Sequence, residues 1–120
     1  MPCVSQRYGS HSIDLSPATK QAFVPHVGRN SIYIYDINDD GTLAFAAEAP
    51  SFGHHDGPRH VVPSRDGKKL YVVTEHTSWV DVYAIHKDSL EHLQRLSVIP
   101  TGQSPLPNFP FSWFLFCVGG

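Results

Sequence analysis

Three residues of this chain carry the chemistry most worth weighing: His11, Arg59 and Glu75. A guanidinium grips a carboxylate with two parallel hydrogen bonds. An imidazole or a carboxylate moves a proton. Brought together, the three would suit a polyanionic organic acid. The residues alone leave a plainer alternative open, in which Arg59 and Glu75 form a structural ion pair and His11 caps a turn. The run His54-His55-Asp56, followed by His60, raises the question of a metal. Adjacent loop histidines rarely ligate one ion, and no His-x-His or HExxH framework accompanies them, so no metal site is expected. No Gly-rich phosphate loop or serine nucleophile elbow is present.

What could bring these residues together is a repeat. The chain nearly repeats itself at an offset of 48 residues, the separation of His11 and Arg59. At that offset Ser16 falls on Ser64, Lys20 on Lys68, Phe23 on Tyr71 and Val24 on Val72. Ile32-Tyr33-Ile34-Tyr35 falls on Val80-Asp81-Val82-Tyr83, and Asp40 on Asp88. Strands are expected around 12–15, 22–27, 31–37, 43–47, 60–63, 69–75, 79–85 and 93–99. They are rich in β-branched and aromatic residues and separated by turn chemistry such as Ser16-Pro17 and Asp66-Gly67. Four short strands per repeat make one blade of a β-propeller. The expected fold is therefore all-β, about two four-stranded antiparallel blades, with 50–58 as the crossover between them. Propellers place their chemistry on a central axis, so His11 and Arg59, equivalent in successive blades, should point at one channel mouth. Trp79 is expected to pack between blades.

Composition narrows the partners. With 120 residues the chain is too short for a closed propeller of ~4–8 blades at ~40–50 residues each. Net charge is −2 and the basic residues form no run, so neither nucleic acid nor a membrane surface is an expected partner. Cys3 and Cys117 sit at opposite ends without zinc spacing, which favours free thiols in a reduced, cytoplasmic setting. The first residues lack a signal-peptide pattern, and the apolar stretch 109–118 is shorter than the ~20 residues of a membrane span. The partial propeller is expected to cover residues 1–102. Residues 103–120, proline-rich and then crowded with uncharged aromatics, do not continue the repeat. That tail reads as an aggregation-prone window and as the product of a truncated or misread gene model.

Three blocks of sequence carry a family resemblance: Gly57-Pro58-Arg59-His60, the run from Pro63 to Val72, and the run from Thr74 to Tyr83. Over roughly 11–102 they resemble the seven-bladed-propeller lactonases, a family that includes bacterial 6-phosphogluconolactonases and fungal carboxy-cis,cis-muconate cyclases. The chain looks more like the cyclase branch. The resemblance implies His11, Arg59 and Glu75 as catalytic residues and Arg59 with His60 as substrate-binding residues. It also implies a further arginine from a later blade, which this chain does not reach. The implied reaction is a cofactor-free cycloisomerisation of 3-carboxy-cis,cis-muconate to its lactone, in aromatic-acid catabolism. Either Glu75 or His11 would be the proton donor.

Two other readings stand beside it. In a 6-phosphogluconolactonase-like hydrolase the same cations would bind a phosphate, and Glu75 or His11 would activate water. Alternatively, a two-blade piece with open edges and uncovered apolar faces would be non-catalytic. Weak or no activity is expected of the chain alone. The substrate class common to the two enzymatic readings is a small carboxylate or lactone, and the oligomeric state is open.

Overall fold

The computed structural model describes residues 9–99. The aromatic tail and both cysteines lie outside that span. Eight strands are formed: β1 (Asp14–Ser16), β2 (Gln21–His26), β3 (Ser31–Ile37), β4 (Leu43–Pro50), β5 (Pro58–Pro63), β6 (Lys69–Thr74), β7 (Trp79–His86) and β8 (Ser89–Ser97). They make two four-stranded antiparallel sheets in the orders β1-β2-β3-β4 and β5-β6-β7-β8, and no helix is present among the described residues. Each sheet is one blade of the expected kind.

The repeat holds at the level of the backbone. Asn30 and Ser78, equivalent turn residues ahead of β3 and β7, both adopt the left-handed region, with φ of 54° and 59°. A bulge interrupts pairing between Ile34 and Tyr35 in the first blade and between Val82 and Tyr83 in the second. Those are the same two positions of the repeat. A bulge recurring at one place is a built feature that sets local twist.

The hairpins differ. Residues 38–42 join β3 to β4, with the Asp40 carboxylate accepting from the Thr42 N–H and hydroxyl. In the second blade Lys87 and Asp88 alone make the turn, so β8 begins at Ser89 rather than near Leu93, as the sequence suggested. The shorter turn moves the register of the outer strand by one residue: Ile34 faces Ala47, whereas Val82 faces Gln94.

The blades pack face to face. Phe23, Ile32, Ile34 and Ala49 from the first meet Val61, Leu70, Val72 and Tyr83 from the second, all buried. Burying such side chains contributes ~1.5–3 kcal/mol each, which makes this seam the main source of cohesion. Two hydrogen bonds flank it, from Ser12 Oγ to the Arg59 carbonyl at 2.9 Å and from the Gln21 amide to the Lys87 carbonyl. Trp79 does not fill the seam as anticipated. Its ring lies beside the Arg95 guanidinium on the neighbouring strand of its own blade, 5.1 Å from the centroid.

Candidate functional site

Arg59 owes its direction to an irregularity. In the pairing of β5 with β6, Pro58 faces Thr74 and His60 faces Val73, leaving Arg59 as the extra residue of a bulge. A bulge residue is released from the strict alternation of faces, and so can be aimed at a neighbouring element. Here it is aimed at the first blade. Arg59 Nε donates to His11 Nε2 at 2.8 Å. His11 lies just before β1, where its own N–H donates to the Pro25 carbonyl at 3.1 Å. The two repeat-equivalent residues thus touch.

Glu75 closes the third side, with Oε1 3.7 Å from Arg59 Nε. That is an ion pair at longer range than a hydrogen bond. Both side chains are nearly buried, at 8% and 12% exposure. His60 stands edge-on to His11, with ring centroids 5.0 Å apart and planes at 75°. The structure therefore brings His11, Arg59, His60 and Glu75 into one cluster.

Electrostatics follow from this crowding. Burial, then the Arg59 charge, then His60 push the His11 imidazole below its ordinary value of 6.5, with Glu75 pulling the other way. Burial followed by Arg59 lowers His60 as well. His11 is accordingly neutral near pH 7. Since its Nε2 accepts from Arg59, its proton sits on Nδ1.

The crossover loop fixes the other side of the cluster. Gly57 has φ +67°, and a Cβ there would lie 2.4 Å from His76 Cδ2, so both its conformation and the close ring exclude a side chain. Its N–H donates to Asn30 Oδ1 at 2.9 Å and its carbonyl accepts from the Glu75 N–H at 2.7 Å. Glu75 and Arg59 are therefore both anchored through Gly57-Pro58.

Sequence reasoning missed the network beneath this loop. Asp56, assigned above only to a run of loop residues, is 1% exposed. Its carboxylate accepts from the Gly53 N–H, Ser51 Oγ, Thr77 Oγ1 and Arg95. Arg95 also binds both oxygens of fully buried Asp81, at 2.8 and 2.9 Å, and His92 joins the same carboxylate at 2.9 Å. The available signal was the break in the repeat, since Asp81 stands where the first blade has Tyr33. Neighbouring His54 and His55 join no such network, and among the described residues no group of three or more candidate ligands could hold a metal ion.

Two four-stranded antiparallel blades packed face to face define a β-propeller architecture. Residues 5–107 match the model of the lactonase family described as a 7-bladed β-propeller, and the chain belongs to that family. It is 38% identical over 96 residues to muconate cycloisomerase 1 of Cutaneotrichosporon cutaneum, covering 78% of this chain and 26% of that protein. Against 6-phosphogluconolactonase of Enterobacter sp. (strain 638) identity is 33% over 95 residues, covering 77% and 29%. Among solved structures, the periplasmic gluconolactonase PpgL of Pseudomonas aeruginosa superposes with a TM-score of 0.68 at 28% identity, covering 79% of this chain and 28% of that one. The chain thus spans between a quarter and a third of the length of these relatives.

Proposed function

We propose that this chain supplies part of the active site of a lactone-forming enzyme, and that its reaction is the cycloisomerisation of 3-carboxy-cis,cis-muconate to the corresponding lactone. The observation that carries this reading is the nearly buried Arg59, hydrogen-bonded to His11 and ion-paired with Glu75. The 38% identity to a muconate cycloisomerase favours this substrate over others.

In this reaction one substrate carboxylate adds across a conjugated double bond, and the adjacent carbon takes up a proton. Arg59 neutralises and orients a carboxylate, an effect of positioning and charge. His60 lies beside it at the substrate-binding end. The proton comes from His11 or Glu75. A polyanionic substrate opposes the burial and the Arg59 charge that keep His11 neutral, so binding itself favours loading a proton on His11. No cofactor is required by the chemistry. The substrate is a small anion, neither nucleic acid nor membrane is a partner, and the cytoplasm is the proposed setting.

A hydrolase acting on 6-phosphogluconolactone is the second reading, favoured by the 33% identity to an enzyme of that name. Absorbance separates the two. Incubation of the purified chain with 3-carboxy-cis,cis-muconate should slowly bleach the conjugated diene, and Arg59→Ala should abolish the bleaching. Equal rates for parent and variant, or lactone hydrolysis without any bleaching, would refute the cyclase reading.

A further inference from the structure

Asn30 and Ser78 hold the same place in the two blades, and the difference between them points into the site. Both adopt the left-handed region, with φ of 54° and 59°. Both serve the backbone alike. The Asn30 carbonyl accepts from the Ser51 N–H at 2.9 Å, and the Ser78 carbonyl accepts from the Val98 N–H at 3.2 Å. A serine is therefore sufficient for the turn and for the hydrogen bond that starts the next connection.

The amide of Asn30 does something more. Its Nδ2 donates to the Gly53 carbonyl at 2.8 Å, and its Oδ1 accepts from the Gly57 N–H at 2.9 Å. A carbonyl can only accept and an N–H only donate, so the partners themselves fix which way the amide points. One side chain of the first blade thus clasps the crossover on both sides of Asp56. From Gly57 two short paths lead to the site. Its carbonyl accepts from the Glu75 N–H at 2.7 Å, and Pro58, whose ring fixes its φ, joins it to the bulge residue Arg59. The first blade also holds the Arg59 carbonyl through Ser12 and the Arg59 Nε through His11.

We propose that Asn30 is a positioning residue for the reaction, its amide clasping the crossover so that Arg59 and Glu75 meet His11 across the blade boundary. This rests on the cluster being the substrate site. The task needs a donor and an acceptor at once, which a carboxamide supplies and an ionised carboxylate does not.

Hydrogen exchange of the Arg59 Nε–H, followed by NMR in the full 120-residue chain, tests this without any substrate. Asn30→Ser installs the residue that the second blade already carries in this conformation, so the turn is kept and the clasp is lost. The Arg59 Nε–H should then exchange about tenfold or more faster, while the core amides of Ile34 and Val72 change less. Asn30→Asp keeps the acceptor for the Gly57 N–H, and should lie nearer to the parent than to Asn30→Ser. If Asn30→Ser unfolds, Asn30→Gly, which adopts the same φ without strain, takes its place. With 3-carboxy-cis,cis-muconate, bleaching per folded molecule should fall roughly 10- to 100-fold in Asn30→Ser, as for a small misplacement of the reacting groups. An Arg59 Nε–H that exchanges as in the parent would overturn the proposal. So would an acceleration that the core amides share in full, since that is loss of stability alone. A parent that never bleaches the diene would refute the cyclase reading, and the exchange result would still decide for or against Asn30.

Discussion

Arg59 Nε donates to His11 Nε2 at 2.8 Å, joining two residues that occupy the same position in successive blades. The bond fixes the imidazole tautomer and spends one of the arginine's donors within the protein. If Arg59 holds a substrate anion as proposed, the bond also ties the protonation of His11 to that anion. The consequences can be measured.

Arg59→Ala should raise the His11 titration midpoint, which in the parent lies below 6.5. It deletes the neighbouring cation and opens the site to water, and both changes favour the imidazolium. Carbon-bound proton resonances of His11, followed by NMR across the pH range, give the midpoint directly.

Stability should rise with pH through the histidine range. His11 and His60 are both lowered, by burial first and Arg59 second, so the unfolded chain binds more protons than the folded one. Their contribution is complete above the ordinary value of 6.5, and is lost progressively as pH falls below it, until the folded-state values are passed. Urea denaturation at a series of pH values measures the slope. His60→Gln should flatten it.

Asp56→Ala should cost about 3 kcal/mol or more, the range for breaking a buried ion pair from one side. It leaves Arg95 beside Asp81 with one partner fewer and strips the Gly53 N–H of its acceptor. Burial alone would raise the Asp56 carboxyl, but hydrogen bonds from Thr77 and Arg95 outweigh it and hold the group below 3.8. Its stabilisation is therefore present above 3.8 and lost as pH falls through the lower folded-state value. Chemical denaturation of parent and variant near neutral pH and in acid separates the two effects.

Gly57→Ala should destabilise the chain by roughly 1–3 kcal/mol, since a side chain must hold φ +67° and displace the His76 ring. Because Gly57 also carries the hydrogen bond to the Glu75 N–H, diene bleaching should fall further than the loss of folded protein explains. Comparing activity with the folded fraction under one condition checks this.

The repeat made the fold legible. Matching Phe23 with Tyr71 and Ser16 with Ser64 anticipated two sheets of four strands, because β-branched and aromatic runs bounded by Asp-Gly and Ser-Pro turns leave few other solutions. The placement of His11 beside Arg59 was legible for the same reason, as equivalence in a repeat is a statement about space. Less visible was the device that aims Arg59, since a one-residue bulge leaves no mark in a run such as Pro58-Arg59-His60-Val61. The Asp56–Arg95–Asp81 network was hidden too. Its members are far apart in sequence and charged, and charged residues are ordinarily read as solvent-facing. The start of β8 at Ser89 was missed because Lys87-Asp88 lacks the glycine that usually announces a two-residue turn.

The most direct test of the site follows the His11 imidazole by NMR across pH, with and without 3-carboxy-cis,cis-muconate, in the parent chain and in Arg59→Ala. The account predicts a midpoint below 6.5 in the parent alone and a rise when the tricarboxylate binds. In Arg59→Ala the ligand should bind roughly 10- to 100-fold more weakly, as expected for loss of a charge-assisted hydrogen bond. A midpoint that ignores the ligand, or a variant that binds as tightly as the parent, would contradict a carboxylate site built on His11 and Arg59.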